Sequence, residues 1–164
     1  MIVLGIDPGT HVMGIGVVRY KNSDLTMVHC GTIKTKNTDS LAKRLNSLFD
    51  GLTIVVNEWN PIEIAIEAPF TSQNVKAAMA IGQAQAIGML IAAQNNLPIT
   101  SYTPREIKQS VTNYGGSSKD QVKEMVSVLL NLDTAPQSTD ASDALAAAIC
   151  HINSIPLTNL EILP

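Results

Sequence analysis

Three features of the sequence predict an α/β domain with a mixed five-stranded sheet flanked by helices. Short β-branched runs come first as a group of three, later runs alternate with segments of helical periodicity, and 164 residues suffice for one domain with a sizeable core. Residues 2–6 form an apolar run stopped by Asp7-Pro8-Gly9, which places an aspartate at a strand's end. Residues 13–20 and 25–35, separated by Asn22-Ser23-Asp24, complete an antiparallel meander.

The pattern then changes period. Leu41, Leu45, Leu48, Leu52, Val55 and Val56 recur at helical spacing behind a capping Ser40, and Pro61 closes the helix. Residues 62–66 are a short strand ending at Glu67, a second carboxylate at a strand's finish. An Ala-rich helix over about 74–96, a fifth strand at 98–102 and a helix at 104–112 with proline in its first turn follow. A Gly-Ser loop at 113–118 leads to helices at 119–130 and 140–152. Nothing marks a linker, so residues 1–152 are expected to form one domain and 153–164 a short tail.

Residues 77–93 carry no charge, yet Gln83 and Gln85 interrupt them and they fall short of the ~20 apolar residues of a membrane span. A buried helix is expected there. Cys30 and Cys150 make neither a metal pair nor a disulfide framework, and the N-terminus lacks a basic region and a cleavage site, so a reducing cytoplasm is the expected compartment. Eleven Lys and Arg against fourteen Asp and Glu argue against coating of polyanions by bulk positive charge.

Four acids stand out. Asp7 and Glu67 end apolar strands, and Asp140 and Asp143 open an apolar helix at a spacing that shares one helix face. If the strands are neighbours and the helix packs beside their ends, four carboxylates converge and require cations. Oxygen ligands without His or Cys favour Mg²⁺ or Mn²⁺, and two such ions are a device for phosphodiester cleavage: one lowers the pKa of an attacking water while the other stabilises the leaving oxygen. Each acid also has a structural reading: Asp140 as a helix N-cap with Asp143 at N3, Asp7 as a turn residue, Glu67 as a paired strand-end acid. With the four set aside, the remaining surface is close to neutral. Arg105, Lys108, Lys119 and Lys123 bracket the Gly-Ser loop, where Lys108 and Lys119 either reach phosphates beside the cut or pair with Glu106, Asp120 and Glu124 on solvated helix faces. His11, in the turn after Asp7, reads as an exposed residue able to touch phosphate, and His151 as a residue at a helix end.

The segments GIDPGTHVMGIGVV, AIEAPF, GQAQAIGML, YTPREIKQSV, YGGSSKDQVKEMV and DASDALAAAICH occur in this order over nearly the whole chain. In this series the sequence resembles the RuvC Holliday-junction resolvases. The resemblance implies a ribonuclease-H-like fold, a homodimer, Mg²⁺ dependence, paired symmetric nicks across a four-way DNA junction in recombination and repair, and partnership with the branch-migration proteins RuvA and RuvB. It places the metal-binding and catalytic acids on Asp7, Glu67, Asp140 and Asp143, and DNA-holding residues on Lys108, Lys119 and Phe70, the last beside unstacked bases, with Arg105 adjoining them.

A two-fold junction suits a two-fold protein, and the segment 77–93, with Gly82 and Gly88, is a candidate for the dimer interface as well as for burial within the monomer. Gly116 stands where many relatives carry Arg or Lys, which predicts weaker non-specific DNA affinity, and the tail after His151 lacks a basic cluster. Competing readings are another ribonuclease-H-like nuclease sharing the opening GIDPGT and a junction-binding protein without catalysis. An actin-like ATPase is disfavoured by the length and by the missing Gly-x-x-x-x-Gly-Lys loop.

Overall fold

The computed structural model describes residues 1–68 and 75–156. Strands β1 (Ile2–Asp7), β2 (Val12–Lys21), β3 (Asp24–Lys34), β4 (Glu63–Glu67) and β5 (Ile99–Tyr102) form one sheet in the order β3-β2-β1-β4-β5. β1, β2 and β3 are antiparallel neighbours, whereas β4 runs parallel to β1 and to β5, so the sheet is mixed as the sequence predicts. The β2–β3 hairpin turns on Asn22 and Ser23, both at positive φ, the geometry of a two-residue type I′ turn that matches the sheet's twist.

Helices α1 (Leu41–Trp59) and α2 (Val75–Gln94) cover one face, and α3 (Pro104–Thr112), α4 (Lys119–Leu129) and α5 (Thr139–Ser154) the other. Ser40 caps α1 as expected, while the αL residue that ends it is Asn60 rather than Pro61 itself. α5 continues to Ser154, so the expected domain boundary at 152 falls inside a helix. Thr103 and Ser118 form capping boxes with Glu106 and Gln121, fixing the starts of α3 and α4.

The pleat decides what each face carries. Along β1, Leu4 and Ile6 enter the core under α1 and α2, while Val3 enters the core under α5, so Gly5 and Asp7 also face α5. β4 repeats the pattern: Ile64 and Ile66 point one way, and Glu63, Ala65 and Glu67 the other.

α5 lies unusually close to this second face. A Cβ at Gly5 would stand 1.9 Å from the Ala144 carbonyl oxygen, at Gly14 2.0 Å from that of Asp140, and at Gly16 2.5 Å from the Leu145 amide nitrogen. Gly5 pairs with Gly16, and Gly14 with Asp7, so the glycines form a trough across β1 and β2 in which the Ala-rich helix sits. Residues 144–150 are buried all round the helix.

α2 corrects an expectation. Gly88 does pack inward, where a Cβ would meet Ile66 at 2.9 Å, and Ala84, Ile91 and Ala92 are buried beside it. Yet Val75, Met79, Met89 and Leu90 are 68%, 60%, 45% and 47% exposed, so the helix is half-embedded rather than buried. A helix apolar all round reads as buried from composition alone.

Candidate active site

Asp7 and Glu67 close the adjacent parallel strands β1 and β4, so both carboxylates emerge at the same sheet end and on the face toward α5. α5 begins at that end. Its N-cap is Ser138, whose hydroxyl accepts from the Ala141 amide and donates to Asp140 Oδ2 at 3.1 Å. The N-cap reading of Asp140 is therefore set aside: Asp140 lies within the first turn, one turn from Asp143.

A second contact fixes α5 along its axis. At the opposite end of β4, Glu63 Oε2 lies 2.5 Å from Nε2 of His151, whose Nδ1 is 2.8 Å from the Tyr102 hydroxyl. Eight helical residues from Asp143 to His151 and four strand residues from Glu63 to Glu67 each span about 12–13 Å. Seating His151 on Glu63 thus brings Asp143 level with Glu67. His151, expected to act through the helix dipole, is buried and serves this contact instead.

Asp7 and Glu67 feel their acidic neighbours. Burial, followed by the charges of Glu67, Asp143 and Asp140, pushes the Asp7 carboxyl up to about 7, against the opposing pull of Lys119. Burial and Asp143 raise that of Glu67, while Lys119 and Lys108 hold it down. Lys119 Nζ donates to Asp143 Oδ2 at 2.9 Å, and this bond holds the lysine in its charged form. Lys119 is thus engaged with the acid cleft, not with Asp120 or Glu124. Among the described residues no three His, Cys, Asp or Glu side chains stand close enough together to grip one ion without rearranging.

Glu67, Lys108, Lys119 and Asp143 line a single cleft floored by Pro104, Ile107 and Val122. Arg105 lies at its edge, its side chain laid over Gly115, where a Cβ would come within 2.9 Å of Arg105 Cγ. Phe70 lies outside the described residues.

The sequence profile of the crossover junction endodeoxyribonuclease RuvC family matches residues 3–151. The chain belongs to this family. A RuvC from Dehalococcoides mccartyi is 44% identical over 160 residues, spanning 98% of this chain and 96% of the relative. One from Natranaerobius thermophilus is 43% identical over 151 residues, 92% and 94% of the respective chains. The structure of Thermus thermophilus RuvC in complex with a Holliday junction substrate superposes with a TM-score of 0.87 at 29% identity, covering 93% of each chain. The fold is that of RuvC, ribonuclease-H-like.

Sequence reading of the RuvC acids did not find what positions them. Gly5, Gly14 and Gly16 have no role in the sequence reading. Their signal was there in the i, i+2 spacing of Gly14 and Gly16, which puts both on one face of a strand opposite a helix made largely of alanine.

Proposed function

We propose that this RuvC protein is a Mg²⁺-dependent endonuclease that resolves four-way DNA junctions in the cytoplasm by cutting two symmetry-related strands as a homodimer. What supports the chemistry is that Asp7 and Glu67 close adjacent strands at the sheet end where α5 carries Asp140 and Asp143, and that burial and the charges of the other three push the Asp7 carboxyl up to about 7. An all-oxygen donor set with excess negative charge fits a hard divalent cation and does not suit zinc. Asp7, Glu67, Asp140 and Asp143 would hold a pair of Mg²⁺ ions, with Mn²⁺ as a substitute, which would supply an activated water and charge stabilisation at the leaving oxygen.

The chain's own groups do the rest. Lys119 offsets the charge of Asp143 through its 2.9 Å bond and stands on the cleft where it can also meet a phosphate. Lys108, at the cleft's wall, and Arg105, at its edge, orient the backbone beside the cut. The exposed stripe of Val75, Met79 and Leu90, with Met89 beside it, is the face through which α2 meets a second copy, placing two clefts about a two-fold axis. RuvA and RuvB are the partners that deliver the junction.

A cleavage assay separates this reading from a general ribonuclease-H-like nuclease. With Mg²⁺, the protein should nick a synthetic four-way junction at symmetric positions and leave linear duplex and RNA–DNA hybrid intact; preferential cutting of the hybrid overturns the proposal.

A further inference from the structure

The cations around Lys108 and Lys119 line one side of the carboxylates. We infer a second DNA-phosphate site on the other side, formed by Lys34, Lys36, Lys43 and Arg44 and braced by His11, which holds the backbone of a junction arm running over the β2–β3 edge of the sheet. It rests on the reading of the chain as a junction-binding nuclease and adds a surface to it.

Sequence position conceals the cluster. β3 ends at Lys34, opposite Val12 of β2, and Asp7 of β1 lies opposite Gly14, so Lys34 sits at the same sheet end as the acids, two strand spacings or about 10 Å from β1. That is the axial rise of about three phosphates along one DNA strand. The Thr35 amide donates to the His11 carbonyl at 3.0 Å and its hydroxyl to the Thr10 carbonyl at 2.9 Å, which ties the segment to the turn directly after Asp7. His11 Nδ1 donates to Asn37 Oδ1 at 2.8 Å, and Nε2 accepts from Arg44.

These charges lack compensation. From residue 34 to residue 44 there are four cations and one acid, Asp39. Among the described residues the ion pairs are Lys119–Asp143 and His151–Glu63, so none of the four is in one. Lys43 and Arg44 moreover stand in the first turn of α1, the positive end of the helix, which carries no acid. Like charges gathered against a like-signed helix end cost stability in the free protein, and an anion relieves them. A polyanion beside the carboxylates is the DNA itself.

The test is binding of a fluorescein-labelled four-way junction to the full-length protein in EDTA, followed by anisotropy from 50 to 200 mM NaCl. Lys34, Lys36 and Lys43 are exposed, so their joint replacement by alanine leaves the fold intact. The slope of log affinity against log salt should shrink by about 1–3, and affinity at 200 mM should fall at least about tenfold. The triple Lys→Arg variant should keep the slope of the unaltered protein. Arg19→Ala with Lys21→Ala, which removes two exposed charges at the far end of β2, is the control and should shift the slope far less. An unchanged slope in the alanine triple overturns the inference, as does an equal loss in the far-end control, which would mean that only net charge matters. If the unaltered protein does not bind the junction, the functional reading falls together with the second site.

Discussion

Asp7 bears the main electrostatic strain of the cleft. Its carboxyl is raised from 3.8 to about 7, so between those pH values the folded protein binds a proton that the unfolded chain has released. Stability from this residue is therefore greatest below pH 4 and is lost as pH rises through 7, the opposite of a salt-bridged aspartate. Without metal, Asp7→Asn should raise the melting temperature at pH 8, by about 9–17 °C if the whole shift is expressed, and change it little at pH 4. Mg²⁺ should raise the melting temperature of the native protein at pH 8 and that of Asp7→Asn much less, measured by scanning calorimetry. Lys119 acts in the other sense, since its charge lowers the pKa of both Asp7 and Glu67. Lys119→Met should move the Asp7 titration of the metal-free protein to higher pH, followed by NMR of the carboxyl carbon.

Among the elements, α5 decides whether the site exists, because it brings Asp140 and Asp143 to the ends of two strands. Its depth is set by the glycine trough and its axial register by Glu63 and His151. Gly5→Ala would drive a methyl into the Ala144 carbonyl and should cost at least about 1–3 kcal/mol while abolishing junction cleavage. At Gly31 the nearest atoms to an added Cβ are those of His29 at 3.5 Å, so Gly31→Ala should be near neutral in both assays. Denaturant melts and cleavage rates of the two variants decide the point.

The sequence disclosed the helices and strands of this layer with good ends, because prolines, the cap Ser40 and the strand-closing acids are local signals. What stayed hidden was tertiary. Glu63 and His151 are 88 residues apart, and a glycine in a strand does not announce the helix that needs its missing side chain. Of the two sequence readings of α2, burial in the monomer holds only for its inner side, at Ala84, Gly88, Ile91 and Ala92, because composition alone does not tell which side of an all-apolar helix faces the core.

At the scale of the whole molecule, a mildly acidic chain handles DNA by distributing its charge. The acids gather at one end of the sheet, Arg105, Lys108 and Lys119 stand on one flank, and the 34–44 segment stands on the other. Gly116 and the acidic net charge predict weaker non-specific affinity, and this placement of the cations leaves positive charge on both flanks of the acids. The proposed two-fold assembly should depend on α2: Met79→Asp with Leu90→Asp, both on exposed side chains, should yield a monomer in sedimentation velocity while leaving the circular dichroism spectrum unchanged.

The most direct measurement is anomalous diffraction from a crystal grown with Mn²⁺. A manganese peak is expected about 2.0–2.3 Å from carboxylate oxygens of Asp7 and at least two of Glu67, Asp140 and Asp143, with Lys119 withdrawn from Asp143. A crystal with the cleft open to solvent and no manganese among these four side chains would contradict it.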